Sequence, residues 1–434
     1  MIPTQLALVR KRAHHPHLMR ILYVLAMASV LVAARAATAY EHAMAFQAGN
    51  CVSDTRSSYT VTICLTTPSA GSVVSGITPV QATISVTGAN PGVRRLIFYV
   101  DNQYALTAFG LPYAFDLPTN QWVDGAHILS VEALLRDTFT TCRAAVNLTF
   151  ADGFSGPAVN NNTFQVTSGF SNLGRPLIVA ATGDGGDGQQ DTDDVVNTIS
   201  SVNPDIFLFL GDVYEQGSIT EFYNWYGVQG VRYGRFRSFT NPTVGNHEYD
   251  NGVAQGYFNY WDNIPDYYSY DAAGWHFVSL NSTSQFGEVA PGAPQYNWLQ
   301  QDLASSQSPC TVVYFHHPVF STGPQGDTTS LNAIWSLLYQ YGVDVVLAGH
   351  EHSYQRWLPL DQNGNVSNQG IVHFVAGGGG HGIQNFVRTD ARLAIGYDNP
   401  ATGFGALRFE MNPKGAAFQY IHTSGAIIDA GVIP

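Results

Sequence analysis

The chain divides into two long stretches that differ in the spacing of their apolar residues. Between residues 60 and 150, short runs alternate apolar and polar positions, as in "TVTICLTT", "VQATISVTG" and "HILSVEALL". A period of two is typical of strands that bury one face. Gly, Pro, Asn and Asp separate these runs at short intervals, so the pattern predicts a small all-β sandwich over residues 60–150.

The pattern changes after residues 151–172, which are rich in Gly, Ser and Asn and which we interpret as a linker. Beyond them, unbroken apolar runs such as "PLIVAAT", "DIFLFL" and "DVVLA" predict strands that are buried on both faces. Stretches with helical spacing lie between these runs, for example "DTDDVVNTISSV" and "TTSLNAIWSLLYQYG". Strands that alternate with helices predict a layered α/β domain over residues 173–434.

The first 39 residues form a third kind of segment. Four basic residues precede an uncharged run at residues 21–34, and three small residues follow at 37–39. The uncharged run is short for a membrane span, and the order of the three parts is typical of a signal peptide. We therefore expect residues 1–39 to be a cleaved signal peptide, the alternative being an uncleaved anchor. The mature chain would then lie outside the cytoplasm, secreted or in the cell envelope, without a stable membrane span.

Composition limits the partners of the protein. The 434 residues carry a net charge of −13, and the segment beyond residue 39 holds 14 basic against 32 acidic residues. Such a surface repels phosphate backbones, so no nucleic acid polymer is expected as a partner. A small phosphorylated substrate remains compatible if a cation neutralises it locally. The four cysteines fit an oxidising compartment and allow three full pairings, among which the sequence does not choose.

Residues with metal-binding side chains follow several of the predicted strands. The runs "VAATGD", "FLFLGD", "PTVGNHE", "VVYFHH" and "VVLAGHEH" each end in such residues, and we interpret all five as strand ends. In an open α/β sheet, ligands gather just beyond the carboxyl ends of the strands. The side chains that this interpretation brings together are Asp184, Asp212, Asn246, His247, His316, His317, His350 and His352.

This set of donors favours a particular chemistry. Carboxylate, amide oxygen and imidazole, without thiolate, bind zinc, manganese and iron. A carboxylate between two such ions bridges them, and two ions together clamp a phosphoryl oxygen and ionise a shared water. The five motifs taken together therefore predict a metal-dependent hydrolytic site.

The order of these motifs resembles that of the calcineurin-like metallophosphoesterases, and within them the purple acid phosphatases. The matching residues are "GDGG", "GDVY", "GNHE", "VYFH" and "GHEH", spread over most of the predicted α/β domain. The resemblance implies a four-layer α/β/β/α sandwich, a dinuclear metal centre and hydrolysis of phosphate esters by attack of a metal-bound hydroxide. Residues 68–76, with "FYVD" and "DGAHILSVEA", resemble the immunoglobulin-like modules of secreted bacterial enzymes.

The resemblance also implies a role for each matching residue. Two metal ions, drawn from iron, zinc and manganese, would share the bridging carboxylate of Asp212. The other ligands would be Asp184 and His352 on the first ion, and Asn246, His316 and His350 on the second.

Four residues near these ligands are further candidates for the site. His247 would stand outside the metal ligands and donate to the phosphoryl or leaving oxygen, beside Asn246. Glu248 would orient His247, as a carboxylate beside a working histidine often does. His317 either contacts bound phosphate or simply packs. His381, within "GGGGHG", is a further candidate for lining the site.

The sequence departs from the family pattern at Tyr214. Purple acid phosphatases place a metal-binding tyrosinate three residues after the bridging aspartate, whereas Tyr214 follows Asp212 by two. Tyr214 is therefore either a ligand of the first metal or an aromatic wall of the pocket, and the shorter offset favours the wall.

These observations favour a secreted dinuclear-metal phosphoesterase that hydrolyses phosphomonoesters, similar to acid phosphatases. A phosphodiesterase or nucleotidase would use the same ligands, so both remain open. A surface-binding module with a degenerate phosphatase fold is a third alternative, which the intact ligand set disfavours. The immunoglobulin-like module has no candidate catalytic set and would be a spacer or would contact a surface or polysaccharide.

Overall fold

The computed structural model describes residues 50–434 apart from residues 154–163, 171–172, 229, 251, 284 and 286. The predicted signal peptide and part of the predicted linker lie outside the described residues. Within the described part of the chain, no helix has both the length and the apolar character that crossing a membrane requires.

The first part of the structure is a β-sandwich. Its strands are β1 (Cys51–Thr55), β2 (Tyr59–Thr67), β3 (Val73–Val74), β4 (Ile77–Gly88), β5 (Val93–Val100), β6 (Gln103–Ala108), β7 (Ala114–Pro118), β8 (Gly125–Leu135) and β9 (Ala144–Phe150). One sheet has the order β1-β2-β4-β7 and the other the order β3-β9-β8-β5-β6. In β4 the buried Val80 and Ala82 alternate with exposed neighbours, which explains the period of two in the sequence.

A disulfide joins the first two strands of the sandwich. Cys51 and Cys64 form it at positions that face each other across β1 and β2. Cys142 and Cys310 are free. The described residues therefore contain one disulfide, whereas each of the three full pairings would form two.

The second part contains two larger sheets. Its strands are β10 (Leu177–Thr182), β11 (Ile206–Phe209), β12 (Tyr268–Ala272), β13 (Trp275–Ser279), β14 (Cys310–Tyr314), β15 (Val345–Ala348), β16 (Tyr354–Trp357), β17 (Val372–Ala376), β18 (Leu393–Tyr397), β19 (Gly405–Asn412), β20 (Gly415–His422) and β21 (Ile427–Ile433). The five-stranded sheet has the order β11-β10-β19-β20-β21, and the seven-stranded sheet has the order β12-β13-β14-β15-β17-β16-β18.

Five α-helices and several other helical segments accompany the strands in the described part of the chain. They are α1 (Gln190–Val202), α2 (Ile219–Glu221), α3 (Gln255–Tyr260), α4 (Pro294–Ser305) and α5 (Asn332–Gln340), with a π-helical segment at Phe222–Gly227 and 3-10 turns at Thr119–Gln121, Arg232–Phe239, His247–Tyr249 and Thr329–Leu331. One core lies between the two sheets, a second between α1 and the five-stranded sheet, and a third between α4, α5 and the seven-stranded sheet. The predicted four-layer α/β/β/α architecture is confirmed.

The central strands β14 and β15 show why this part of the sequence reads as unbroken apolar runs. Val312 and Leu347 point into the core between the sheets. Val313 and Val346 point the other way, into the core beneath α4 and α5. A strand covered on both faces has no position for a polar side chain, so the alternation disappears.

One of the five predicted strand ends is wrong. Residues 241–245, in "NPTVGNHE", form no regular strand. Instead, Asn241 and Thr243 donate backbone hydrogen bonds to the carbonyls of Phe207 and Phe209, so the segment runs as an irregular edge beside β11. Pro242 interrupts the run of donors, and a run that contains proline is confined to a sheet edge.

The end of the predicted linker packs on the α/β layers. The Phe164 ring contacts Trp261 and Tyr268. Gly169 donates a backbone hydrogen bond to Asp271 and accepts one from Ala273. Residues 164–170 therefore belong structurally with the layers that follow them.

Candidate metal centre

Loops at one edge of the two central sheets carry the candidate ligands. Because β10 pairs with β11 in parallel, and β14 with β15, the carboxyl ends of all four strands face this edge. The irregular segment after residue 241 ends at the same edge. The residues delivered there are Asp184, Asp212, Asn246, His247, His316, His317, His350 and His352.

The first group of donors surrounds the hydroxyl of Tyr214. This oxygen lies 3.0 Å from Asp184 Oδ1, 3.3 Å from Asp212 Oδ2 and 2.8 Å from His352 Nε2. The distance from His352 Nε2 to Asp184 Oδ1 is 3.6 Å. The offset of two residues from Asp212 therefore does not carry the Tyr214 side chain away from the candidate ligands of the first metal.

The second group of donors surrounds His316. Its Nε2 atom lies 3.0 Å from Asn246 Oδ1, 3.1 Å from Asp212 Oδ2 and 3.2 Å from His350 Nδ1. Ligand atoms of Asp212, His316 and His350 all lie within 4.8 Å of one another. The arrangement has the donor types and the spacing of a metal site.

Asp212 is the residue that the two groups share. Its Oδ2 atom lies between the Tyr214 hydroxyl on one side and His316 Nε2 on the other. Its Oδ1 atom accepts a hydrogen bond of 3.0 Å from the backbone N–H of His247. The side chain is therefore held in place by the same turn that carries Asn246.

Three of the candidate ligands adopt a left-handed backbone conformation. The φ angles are +61° at Asp184, +66° at Asp212 and +71° at His350. A residue with a Cβ atom adopts this conformation at a cost of about 1–3 kcal/mol, and such residues cluster at functional sites. The tight turns that follow β10, β11 and β15 thus bring three side chains close together at the cost of backbone strain.

Backbone carbonyls orient two of the imidazoles. His316 Nδ1 donates to the Leu210 carbonyl at 2.8 Å, and His352 Nδ1 donates to the Gly382 carbonyl at 2.9 Å. A hydrogen bond at one ring nitrogen selects the tautomer whose other nitrogen is free to bind a metal. In both rings that other nitrogen is Nε2, the atom that faces the remaining donors.

The electrostatics of the site fit bound cations. Burial, the largest influence, raises the pKa of the Asp184 carboxyl to about 8. Burial also lowers the pKa of His350 to about 2 and that of His352 to about 4, which keeps both imidazoles neutral. Against the effect of burial, Asp212 raises the pKa of His316 to about 10, so without a metal ion this imidazole carries the positive charge that balances the buried carboxylate. A bound metal ion would take over that charge and leave His316 neutral.

Comparison with known proteins agrees with this geometry. Residues 177–354 match the model of the calcineurin-like phosphoesterase family, and residues 60–131 match that of a bacterial Ig domain. The resemblance to this family, drawn from the motifs alone, is confirmed, and the match supports hydrolysis as the type of reaction.

Similar proteins include plant purple acid phosphatases. The chain is 30% identical to purple acid phosphatase 21 of Arabidopsis thaliana over 48% of this chain and 50% of that protein. It is 38% identical to purple acid phosphatase 22 of the same plant over 26% of this chain and 27% of that one. The chain thus matches half or less of the length of these relatives.

A solved structure shows the same fold. A purple acid phosphatase from yellow lupin seeds superposes with a TM-score of 0.51 and 15% identity, over 88% of this chain and 73% of that one. Because the covered share includes the sandwich as well as the α/β layers, the likeness extends to both parts of the chain. At this identity it describes the fold only.

His247 lies at the edge of the phosphoesterase site rather than among its innermost donors. Its side chain is 28% exposed, and its Nε2 atom lies 3.9 Å from Asp212 Oδ2. Its Nδ1 atom donates to the backbone carbonyl of Glu215 at 2.6 Å. The exposed ring can therefore reach a bound substrate through Nε2 while Nδ1 is held by the protein.

The expectation that Glu248 orients His247 is wrong. The Glu248 carboxylate is buried and instead accepts backbone hydrogen bonds from Asp212, Val213 and Gly245 at 3.2, 2.6 and 2.7 Å. These N–H groups lie at the end of β11 and in the turn before Asn246, where they have no partners in a sheet. The Glu248 carboxylate accepts their hydrogen bonds instead. Glu248 thereby fixes the backbone on both sides of the site, and the Glu215 carbonyl orients His247.

Two further histidines line the phosphoesterase site. The His317 ring lies 4.4 Å from that of His350, and its Nδ1 atom lies 3.0 Å from Ser282 Oγ. Burial lowers the pKa of His317 to about 3, so it is neutral. The His381 ring stacks on Tyr214 at 3.8 Å, and its Nδ1 atom lies 3.0 Å from the carboxylate of Asp187.

The glycines that precede the ligands were not among the predicted site residues. A Cβ atom on Gly349 would come within 2.5 Å of Asp184 Oδ2, and one on Gly211 within 2.8 Å of His316 Nδ1. A Cβ atom on Gly245 would lie 2.7 Å from the Asp212 nitrogen and would overlap its Oδ1 atom. The signal was present in the sequence, because Gly directly precedes the ligand in "GD", "GN" and "GH" alike.

We expect Gly245→Ala to release metal and to abolish activity without unfolding the protein. The added methyl group has no room beside the Asp212 carboxylate, so that side chain must leave its position between the two donor groups. Metal content by plasma mass spectrometry and the unfolding temperature measure the two effects. Gly110→Ala, in the sandwich, is the matched control, because a Cβ atom at Gly110 meets nothing within 4 Å. Full metal content in Gly245→Ala would contradict this role for the glycine.

Proposed function

We propose that the protein is a secreted phosphatase that hydrolyses phosphomonoesters at a dinuclear metal centre. The observation that carries the proposal is the position of Asp212, whose Oδ2 atom lies 3.3 Å from one donor group and 3.1 Å from the other. A carboxylate in this position would be shared by two ions. The purple acid phosphatases among the similar proteins support the same activity.

We assign the candidate ligands to two ions. Asp212 is shared between them. The first ion takes Asp184, Tyr214 and His352, and the second takes Asn246, His316 and His350. When bound, the two ions supply Lewis acidity for the phosphoryl group and lower the pKa of water. Iron, zinc and manganese all suit this mixture of oxygen and nitrogen donors.

The protein's own residues hold the substrate and move a proton. Asn246 and His247 share one turn, so the two side chains meet a phosphoryl group from the same side. His247 Nδ1 donates to the Glu215 carbonyl, and against the effect of burial Asp212 raises the pKa of His247, which favours the imidazolium. The second proton of that imidazolium, on Nε2, is the one that goes to the leaving oxygen. His317 lies beside His350, where its neutral ring bounds the phosphoryl pocket.

An ester comparison on metal-replete enzyme tests the proposal. We expect kcat/KM for p-nitrophenyl phosphate to exceed that for bis(p-nitrophenyl) phosphate by more than about tenfold. The reverse order would assign the site to a phosphodiesterase. A protein that binds no metal and turns over neither ester would support the surface-binding module instead.

We expect the iron-loaded protein to be coloured and Tyr214→Phe to lose the colour. Burial and then Asp184 raise the pKa of the Tyr214 hydroxyl, so only a strongly charged cation such as ferric iron displaces its proton. A bound tyrosinate absorbs visible light by charge transfer to ferric iron. Visible spectra of the reconstituted proteins measure this, with Tyr233→Phe as the control because its buried hydroxyl donates to the Gly379 carbonyl. An unchanged band in Tyr214→Phe would make Tyr214 a wall of the pocket.

We expect the exported protein to begin near Tyr40. Small residues at 37–39 provide a signal peptidase site, and the disulfide between Cys51 and Cys64 fits an oxidising compartment. N-terminal sequencing of protein recovered outside the cell checks this. A mature exported chain that starts at Met1 would rule out cleavage.

A further inference from the structure

The sandwich docks on the segment that follows Tyr214. The Tyr104 hydroxyl, on β6, donates to the Glu221 carboxylate at 2.5 Å. The Ser218 hydroxyl donates to the Ala105 carbonyl. The Asn224 side chain makes two hydrogen bonds of 2.8 Å to the backbone of Asp116, on β7. Sandwich and phosphoesterase domain are therefore joined by specific polar contacts.

Glu221 is the centre of this contact. Its side chain is fully buried, and its carboxylate accepts backbone hydrogen bonds from Glu215, Gln216 and Ser218 at 2.6, 3.1 and 3.0 Å. Tyr104 provides the fourth donor. A buried carboxylate is stable only when its donors are in place, so each of the four helps to hold the others.

The segment that Glu221 holds is the one that orients His247. The Glu215 carbonyl accepts the hydrogen bond from His247 Nδ1. Gly217 packs directly on Glu248, the residue after His247. A Cβ atom on Gly217 would lie 2.6 Å from Glu248 Cα. A shift of residues 215–218 would therefore move both the His247 ring and the turn that carries it.

We propose that Tyr104 of the immunoglobulin-like module is a positioning residue for His247. The hydroxyl fixes Glu221, the carboxylate fixes residues 215–218, and the Glu215 carbonyl fixes the imidazole. The module is then a working part of the phosphatase, and not only a spacer or an adhesion module. The inference rests on the proposed function through the proton that His247 donates.

The test compares Tyr104→Phe with Tyr99→Phe in the full chain. Tyr99 lies on the neighbouring strand β5, and its hydroxyl donates to Glu132 within the sandwich at 2.7 Å, so it is a matched control. A misplaced His247 slows the hydrolysis of esters whose leaving oxygen needs a proton. We expect kcat of Tyr104→Phe for glycerol phosphate to fall about tenfold, with KM and metal content unchanged. For 2,4-dinitrophenyl phosphate, whose leaving group needs no proton, we expect less than about a twofold fall.

Hydrogen exchange of the same proteins gives a readout that needs no activity. We expect the amides of residues 215, 216 and 218 to exchange faster in Tyr104→Phe than in the wild type, and at the wild-type rate in Tyr99→Phe. Unchanged exchange, or an equal loss of kcat on both esters, would overturn the inference. A wild type that hydrolyses neither ester would refute the proposed function, whereas the exchange rates would still decide whether Tyr104 holds the segment.

Discussion

Asp212→Asn is expected to abolish turnover, by roughly a thousandfold or more, because the two donor groups share this one carboxylate. An amide has about the same shape but lacks the negative charge that holds two cations close together. The Asp212 backbone is fixed by Glu248, so the loss of charge should leave the fold intact. Steady-state kinetics, metal content and the unfolding temperature separate these effects.

A matched control and a contrary outcome complete this experiment. Asp191→Asn removes an equal charge from an exposed position on α1, and we expect it to behave as the wild type. Wild-type activity in Asp212→Asn with two metals still bound would show that the bridge lies elsewhere. A protein that retains one metal would instead indicate which donor group binds more tightly.

His247→Ala is expected to keep both metals and to lower the rate by roughly a hundredfold or more, the usual scale for the loss of a general acid. The ring lies outside the innermost donors, 3.9 Å from Asp212 Oδ2, and its Nδ1 atom is already occupied by the Glu215 carbonyl. Metal content should therefore be unchanged while kcat falls. Kinetics and plasma mass spectrometry of the same preparation test both halves.

The control for His247→Ala is His422→Ala, which alters a histidine that contacts Ser424 in the turn between β20 and β21. We expect wild-type rates and metal content from it. Loss of metal in His247→Ala would mean that the imidazole is a ligand. The assignment of Asn246 as the sole ligand on that turn would then have to be revised.

Much of the fold followed from patterns that are local in the chain. The alternation in "VQATISVTG" marks a strand with one buried face, and β4 has that character. The unbroken run "VVLA" marks a strand covered on both faces, as β15 is. Such patterns can be read from the sequence because each depends only on which neighbouring side chains meet a core.

The sequence also predicted that the five motifs meet at one site, because a parallel α/β sheet brings the carboxyl ends of successive strands to one edge.

Local patterns failed where the backbone departs from regular structure. We predicted a strand end at residues 241–245, but Val244 is the only branched aliphatic residue among them, and Pro242 confines them to an irregular edge. The offset of Tyr214 favoured a wall of the pocket, yet its hydroxyl lies 2.8 Å from His352 Nε2.

The sequence by itself determined the two kinds of layer, the family and the set of residues that could bind metals. Only the tertiary structure decided that Asp212 stands between two donor groups, that Glu248 holds backbone amides, and that a tyrosine of the sandwich reaches Glu221. The partners in the last contact are 117 residues apart. Which side chain meets which is set by how whole layers pack, because rotamers and turns are chosen by distant neighbours that no local pattern records.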